Sequence, residues 1–215
     1  MTNEELQADV SAELSWDPKV DSERIAVSAD AGTVTLRGMV GSCRQQREAL
    51  NAAQRVYGVS WVDNELQVRI LDSRRDDADL RGDVRQALML DSLIPATVAA
   101  EVRDGLVTLT GTAHWQYQRD EAEFLTANVP GVLGIDDQIT LTTTPSGRDI
   151  SQDISCAFRR NARLDADELS VDITCYGTVI LAGAVNSWAE HDHAVAAAWS
   201  VPGVIEVDDR ILVEY

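Results

Sequence analysis

Two hydrophobic periods alternate along this chain and predict its elements in order. Leu6, Val10 and Leu14 recur every four residues, as do Leu80, Val84 and Leu88, and then Ile150, Ile154 and Phe158. That spacing lays one apolar stripe along each of three amphipathic helices. Thr2 or Asn3 ahead of Glu5, and Asp149 or Ser151 ahead of the third stripe, are expected helix caps. After each helix the period shortens to two. Ile25, Val27 and Ala29 alternate with polar residues, then Val98, Ala100 and Val102, then Leu169, Val171 and Ile173. A turn at Gly32, Gly105 or Gly177 leads to a second alternating segment, with Val34 and Leu36, Val107 and Leu109, or Val179 and Leu181 on one face. These six residues are expected in the core. Gly38, Gly111 and Gly183 are expected to end that strand. A second helix is then predicted over about 42–57, 115–129 and 187–201, with small residues such as Ala49, Ala122 and Ala194 toward a sheet. Gly58, Gly131 and Gly203 follow it, and a last alternating strand is predicted over 62–70, 135–141 and 207–213.

The same order therefore occurs three times, about 72 residues apart. The predicted fold class is α+β: three tandem αββαβ domains, each with two helices on one face of a three-stranded sheet. The boundaries read as 1–72, 73–145 and 146–215, with connectors near 71–77 and 142–147. Units this small hold marginal cores, so contacts between neighbours are expected to add stability.

The hairpins GTVTLRG, GLVTLTG and GTVILAG, with the later segments VDNELQV, IDDQITL and VDDRILV, resemble the BON domain (bacterial OsmY and nodulation). The resemblance covers nearly the whole chain as three copies. It implies a non-catalytic binding or interaction protein of bacterial stress responses, associated with phospholipid, envelope components or small apolar ligands. A soluble structural adaptor that self-assembles through its BON-like domains is the alternative.

Charge narrows the partners. The net charge is −18, distributed as −4, −7 and −7 over residues 1–70, 71–144 and 145–215. Without a basic cluster, nucleic acid is not an expected partner. A phospholipid or a protein is, and so is a second copy of the chain. Cys43, Cys156 and Cys175 have no CxxC spacing and hold no common repeat position, so reduced thiols are expected. The start, MTNEELQAD, has neither a basic nor an apolar segment, and the expected compartment is the cytoplasm, or the periplasm if a signal has been removed.

No catalytic residue, cofactor site or metal site is predicted. Glu190-His191-Asp192-His193 is dense in ligand-type side chains but lacks the four-residue spacing of zinc helices, and it reads as a solvated helix face. The Asp136-Asp137 and Asp208-Asp209 pairs lack the further oxygens of a calcium loop, and they read as strand-edge solubility or turn capping. No GxSxG elbow and no GK[ST] phosphate loop is present. The candidate interaction surface is apolar: Trp115, Trp188, Trp199 and Ile180. Tryptophan suits core packing or a half-wet contact. Ile180 and Ala182 make the third hairpin apolar on both faces, and the Ile180 side is expected to meet a neighbour near Trp188 or Trp199.

Overall fold

A computed structural model describes residues 1–69, 75–142, 150–160, 169–174 and 177–214. The domain boundaries near 72 and 145, most of both connectors, the Asp149 and Ser151 caps and Cys175 lie outside what it describes. The chain forms two compact units, Met1–Ala113 with Gln118–Thr140, and His114–Tyr117 with Leu141–Tyr215.

The first repeat runs α1 (Asn3–Trp16), β1 (Ile25–Asp30), β2 (Thr33–Val40), α2 (Cys43–Gln54) and β3 (Trp61–Val68). The second runs α3 (Asp77–Leu90), β4 (Ala99–Arg103), β5 (Leu106–Ala113), α4 (Gln116–Ala127) and β6 (Gly134–Leu141). The third runs α5 (Ile150–Arg160), β7 (Leu169–Ile173), β8 (Thr178–Val185), α6 (Trp188–Trp199) and β9 (Glu206–Val213). Each repeat makes its own three-stranded sheet, in the orders β1-β2-β3, β4-β5-β6 and β7-β8-β9. In the first and third sheets the hairpin is antiparallel and the last strand joins the middle one in parallel. A parallel partner requires a crossover, and the second helix provides it.

The helix start and the hairpin turn are fastened together. Thr2 and Glu5 form a reciprocal capping box on α1. One residue inside, Asn3 accepts the backbone N–H of Ala31, a turn residue with φ of 46°. In the second repeat Asp77 takes the same place and accepts from Asp104 and Gly105. Ser42 and Ser187 cap α2 and α6. The six hairpin residues predicted inside are fully buried: Val34, Leu36, Val107, Leu109, Val179 and Leu181. In the first repeat both helices pack on that same face, through Leu6, Val10 and Leu14 and through Ala49, Ala52 and Ala53.

One expectation fails in each hairpin. The second glycine does not end the strand: β2, β5 and β8 run two residues beyond Gly38, Gly111 and Gly183. The glycine instead admits a crossing backbone. A Cβ at Gly38 would lie within van der Waals range of nothing soft, only 1.9 Å from the Arg24 carbonyl oxygen, and at Gly111 it would lie 2.2 Å from that of Thr97.

Candidate functional site

Helix α3 has an outward row beside its core stripe. Leu80, Val84 and Leu88 are buried, while Arg81, Arg85 and Met89, each one residue on, are exposed. One helical residue is a rotation of about 100°, so this row borders the core face. The chain leaving α3 returns past it into β4, and between them lies a cleft of about 610 Å³. Arg81, Arg85, Leu88, Met89, Ile94, Pro95, Val98 and Ala99 are in its lining, with Glu101 as its acidic member. Such a volume falls within the range of about 300–1,000 Å³ common for small-molecule sites. Met89 is 80% exposed, Leu90 79% and Leu93 48%, an apolar rim that α3 leaves uncovered. Arg75 pairs with Asp83, but Arg81 and Arg85 make no ion pair among the described residues.

Arg81, Arg85 and Met89 are not repeated at the equivalent sequence positions. With Leu6 aligned to Leu80, the residues matching Arg81, Arg85 and Met89 are Gln7, Ser11 and Ser15 in α1; with Ile150 aligned, they are Ser151, Ser155 and Arg159 in α5. Periodicity concealed the site because it marks the buried stripe. A comparison of the exposed rows of the three repeats would have found it.

The predicted interaction residues do not form one patch. Trp188 and Trp199 are half-buried and pack against the core of the third repeat. Ile180 alternates with buried Val179 and Leu181, so it faces the other side of the sheet. The structure therefore does not bring Ile180 next to either tryptophan, because strand alternation puts the sheet between them. Ile180 is half-buried with Asp172 and Asp208 in register on either side. Trp115 is half-buried just before α4. Trp16 and Trp61 are 86% and 61% exposed. The repeat glycines Gly32, Gly38, Gly58, Gly105, Gly111, Gly131, Gly177, Gly183 and Gly203 all have positive φ.

The acidic pairs and the histidine cluster have roles that the sequence reading missed. The second residue of each pair position ties the last strand to the second helix. Asn64 donates to the Gln46 carbonyl at 3.1 Å. At the equivalent positions Arg119 donates to Asp137 at 2.5 Å, and His191 meets Asp209 at 2.7 Å. The same strand side chains also accept their own backbone N–H two residues on, from Leu66, Ile139 and Ile211. The expected solvated face at 190–193 is thus corrected at His191, whose side chain is only 13% exposed. Among the described residues no group of three or more His, Cys, Asp or Glu side chains is arranged to hold a metal.

Within the first unit, α2 of the first repeat meets the second repeat. The Arg47 guanidinium lies 5.0 Å over the Phe124 ring, and the Cys43 thiol donates to the Val132 carbonyl at 3.5 Å. Burial pushes the Cys43 thiol above its ordinary range, and burial likewise raises the Glu123 carboxyl against the opposing charge of Arg47. No helix among the described residues is long and apolar enough to cross a membrane.

A family model described as the BON domain matches residues 2–70, 76–143 and 146–215. The chain is 33% identical to "Osmotically-inducible protein Y" of Escherichia coli (strain K12) over 141 residues, which span 63% of this chain and 70% of that protein. Two solved structures of CdsD, a structural protein of the type III secretion system of Chlamydia trachomatis, align at 15% identity with a TM-score of 0.27. They cover 98% and 100% of this chain and 92% and 100% of those chains. A score that low establishes no common arrangement.

Proposed function

The chain belongs to the BON domain family along three consecutive repeats, and from that premise we propose that it is a non-catalytic binding protein whose ligand site is the α3–β4 cleft. The ligand is a small apolar molecule or a lipid chain, with its polar end at Arg81 and Arg85. The observation that carries this reading is the cleft itself: an apolar trough and two arginines without ion-pair partners among the described residues, in a chain of net charge −18. Basic residues near an anionic membrane contribute about 1 kcal/mol each, and the chain has an acidic excess elsewhere. Binding is therefore local to this site, and bulk adhesion to anionic vesicles at moderate salt is weak. By likeness to an osmotically inducible protein, the setting we propose is a bacterial osmotic-stress response.

Binding of an environment-sensitive alkyl fluorophore tests the site. Ala99→Trp, at an exposed strand position in the lining, fills the trough, and Met89→Asp makes its rim polar. Each is expected to weaken binding about tenfold or more, the equivalent of about 1.4 kcal/mol. Unchanged affinity in both variants would remove the cleft as the site.

One observation favours a second reading, self-assembly. Ile180, Ala182 and Ala184 are half-buried on the open face of the third sheet, and Leu212 beside them is 60% exposed. A second copy covering that face would bury a charge placed there, at a cost of several kcal/mol. Ile180→Asp then lowers the molecular mass seen by light scattering; an unaltered mass and melting temperature exclude it.

A further inference from the structure

The three helix–strand ties occupy equivalent positions, residue 46 with 64, 119 with 137 and 191 with 209, and they differ in chemistry. The first uses an amide donor and a backbone carbonyl. The second uses a guanidinium, which stays charged at any pH a protein meets. The third uses an imidazole. We propose that the third repeat carries a proton-controlled clamp, in which imidazolium His191 fastens α6 to β9 and loss of its proton loosens that helix.

The geometry specifies the protonated form. Nε2 of His191 lies 2.7 Å from Asp209 Oδ2, and Nδ1 lies 3.1 Å from Asp192 Oδ1. Both partners are carboxylate oxygens, which accept. A neutral imidazole has one N–H and one lone pair, so it satisfies one contact and opposes the other; only the imidazolium donates to both. Asp209 from β9 and Asp192 from α6 itself are the charged groups that act on the ring. Asp209 is held in place because its other oxygen accepts the Ile211 backbone N–H at 3.1 Å. The Trp188 ring meets the imidazole edge-on at 4.8 Å and limits its rotation. Burial disfavours the cation, but the hydrogen bonds and charges of Asp192 and Asp209 outweigh it and raise the imidazole above its ordinary value.

A group whose folded pKa is raised lends stability that is complete below its unfolded pKa and is lost as pH rises through the folded one. The clamp therefore holds in mildly acidic solution and slackens on the alkaline side of the imidazole range of about pH 5 to 8. The ties in the first two repeats do not respond there, so the effect is confined to the third.

Ring titration by NMR and amide hydrogen exchange of α6, on the full chain, test this together. His191 is expected to titrate above an ordinary imidazole. Protection of α6, corrected for the intrinsic effect of pH on exchange, should fall through the same titration. The fall should equal the ratio of the ring's acid constants in the opened and clamped helix. His191→Arg, which copies the second repeat's tie, should flatten the profile, and Arg119→His should transfer it to α4. An α6 profile that is flat in the wild type, or unchanged in His191→Arg, overturns the proposal, as does a ring titrating at or below the ordinary value.

Discussion

Gly111 shows what a single residue decides here. Its φ is 122°, and a side chain there would meet the Thr97 carbonyl oxygen at 2.2 Å. Backbone cannot yield as a flexible side chain can, so Gly111→Ala should cost about 3 kcal/mol. A urea midpoint that moves by less than a few tenths of a molar would show that the segment entering β4 yields instead. The recurrence of this glycine was plain in the sequence, but its reason was not. The oxygen it admits belongs to a segment fourteen residues earlier, and spacing along the strand carries no trace of that approach. His191 was hidden in a similar way: its partner Asp209 lies eighteen residues on, and the local EHDH run reads as a solvated helix face.

Among the elements, the amphipathic helices and alternating strands follow directly from the apolar period, because burial of one face forms them. The exposed rows are set by no such pattern, and the cleft of α3 lies in one of them. Gly82 on that helix is informative. A Cβ there would touch nothing within 4 Å, so no packing requires glycine. Alanine at a helix interior position is favoured over glycine by about 1 kcal/mol. Gly82→Ala should therefore raise the stability of the first unit by about that much in denaturant unfolding. A loss of stability would mean that the α3 backbone is not regular helix at this point. The helix–strand ties belong to the same scale. Repeats that share this helix–strand tie make it from Asn64 and the Gln46 carbonyl, from Arg119 and Asp137, or from His191 and Asp209, and this chemical divergence makes one repeat responsive to pH while its neighbours are not.

For the molecule as a whole, the repeat period gave the number of repeats, and the charge gave an expectation against nucleic acid as a partner. Neither shows which repeats pack together. The first unit joins two of them, through Arg47 over Phe124 and Cys43 at Val132, residues with no period to betray them. Glu123 is in that neighbourhood, and burial raises its carboxyl. Its ionisation therefore opposes folding: the group supports the fold fully below its unfolded pKa, and that support is lost as pH rises through the raised folded value. Glu123→Gln is expected to raise the unfolding midpoint at neutral pH and to converge with the wild type in acid; a destabilised neutral-pH variant would show that the ionised form makes a favourable contact.

The proposal that binding runs through the α3–β4 cleft, lined by Arg81 and Arg85 where the matching positions of α1 and α5 hold Gln or Ser, is the central one. Backbone NMR shift mapping with a short-chain alkyl carboxylate, titrated below its micelle concentration, tests it most directly. Saturable shifts confined to 81–101 are predicted, with the matching segments of the first and third repeats silent. Equal shifts in all three repeats, or none in α3 and β4, would contradict it.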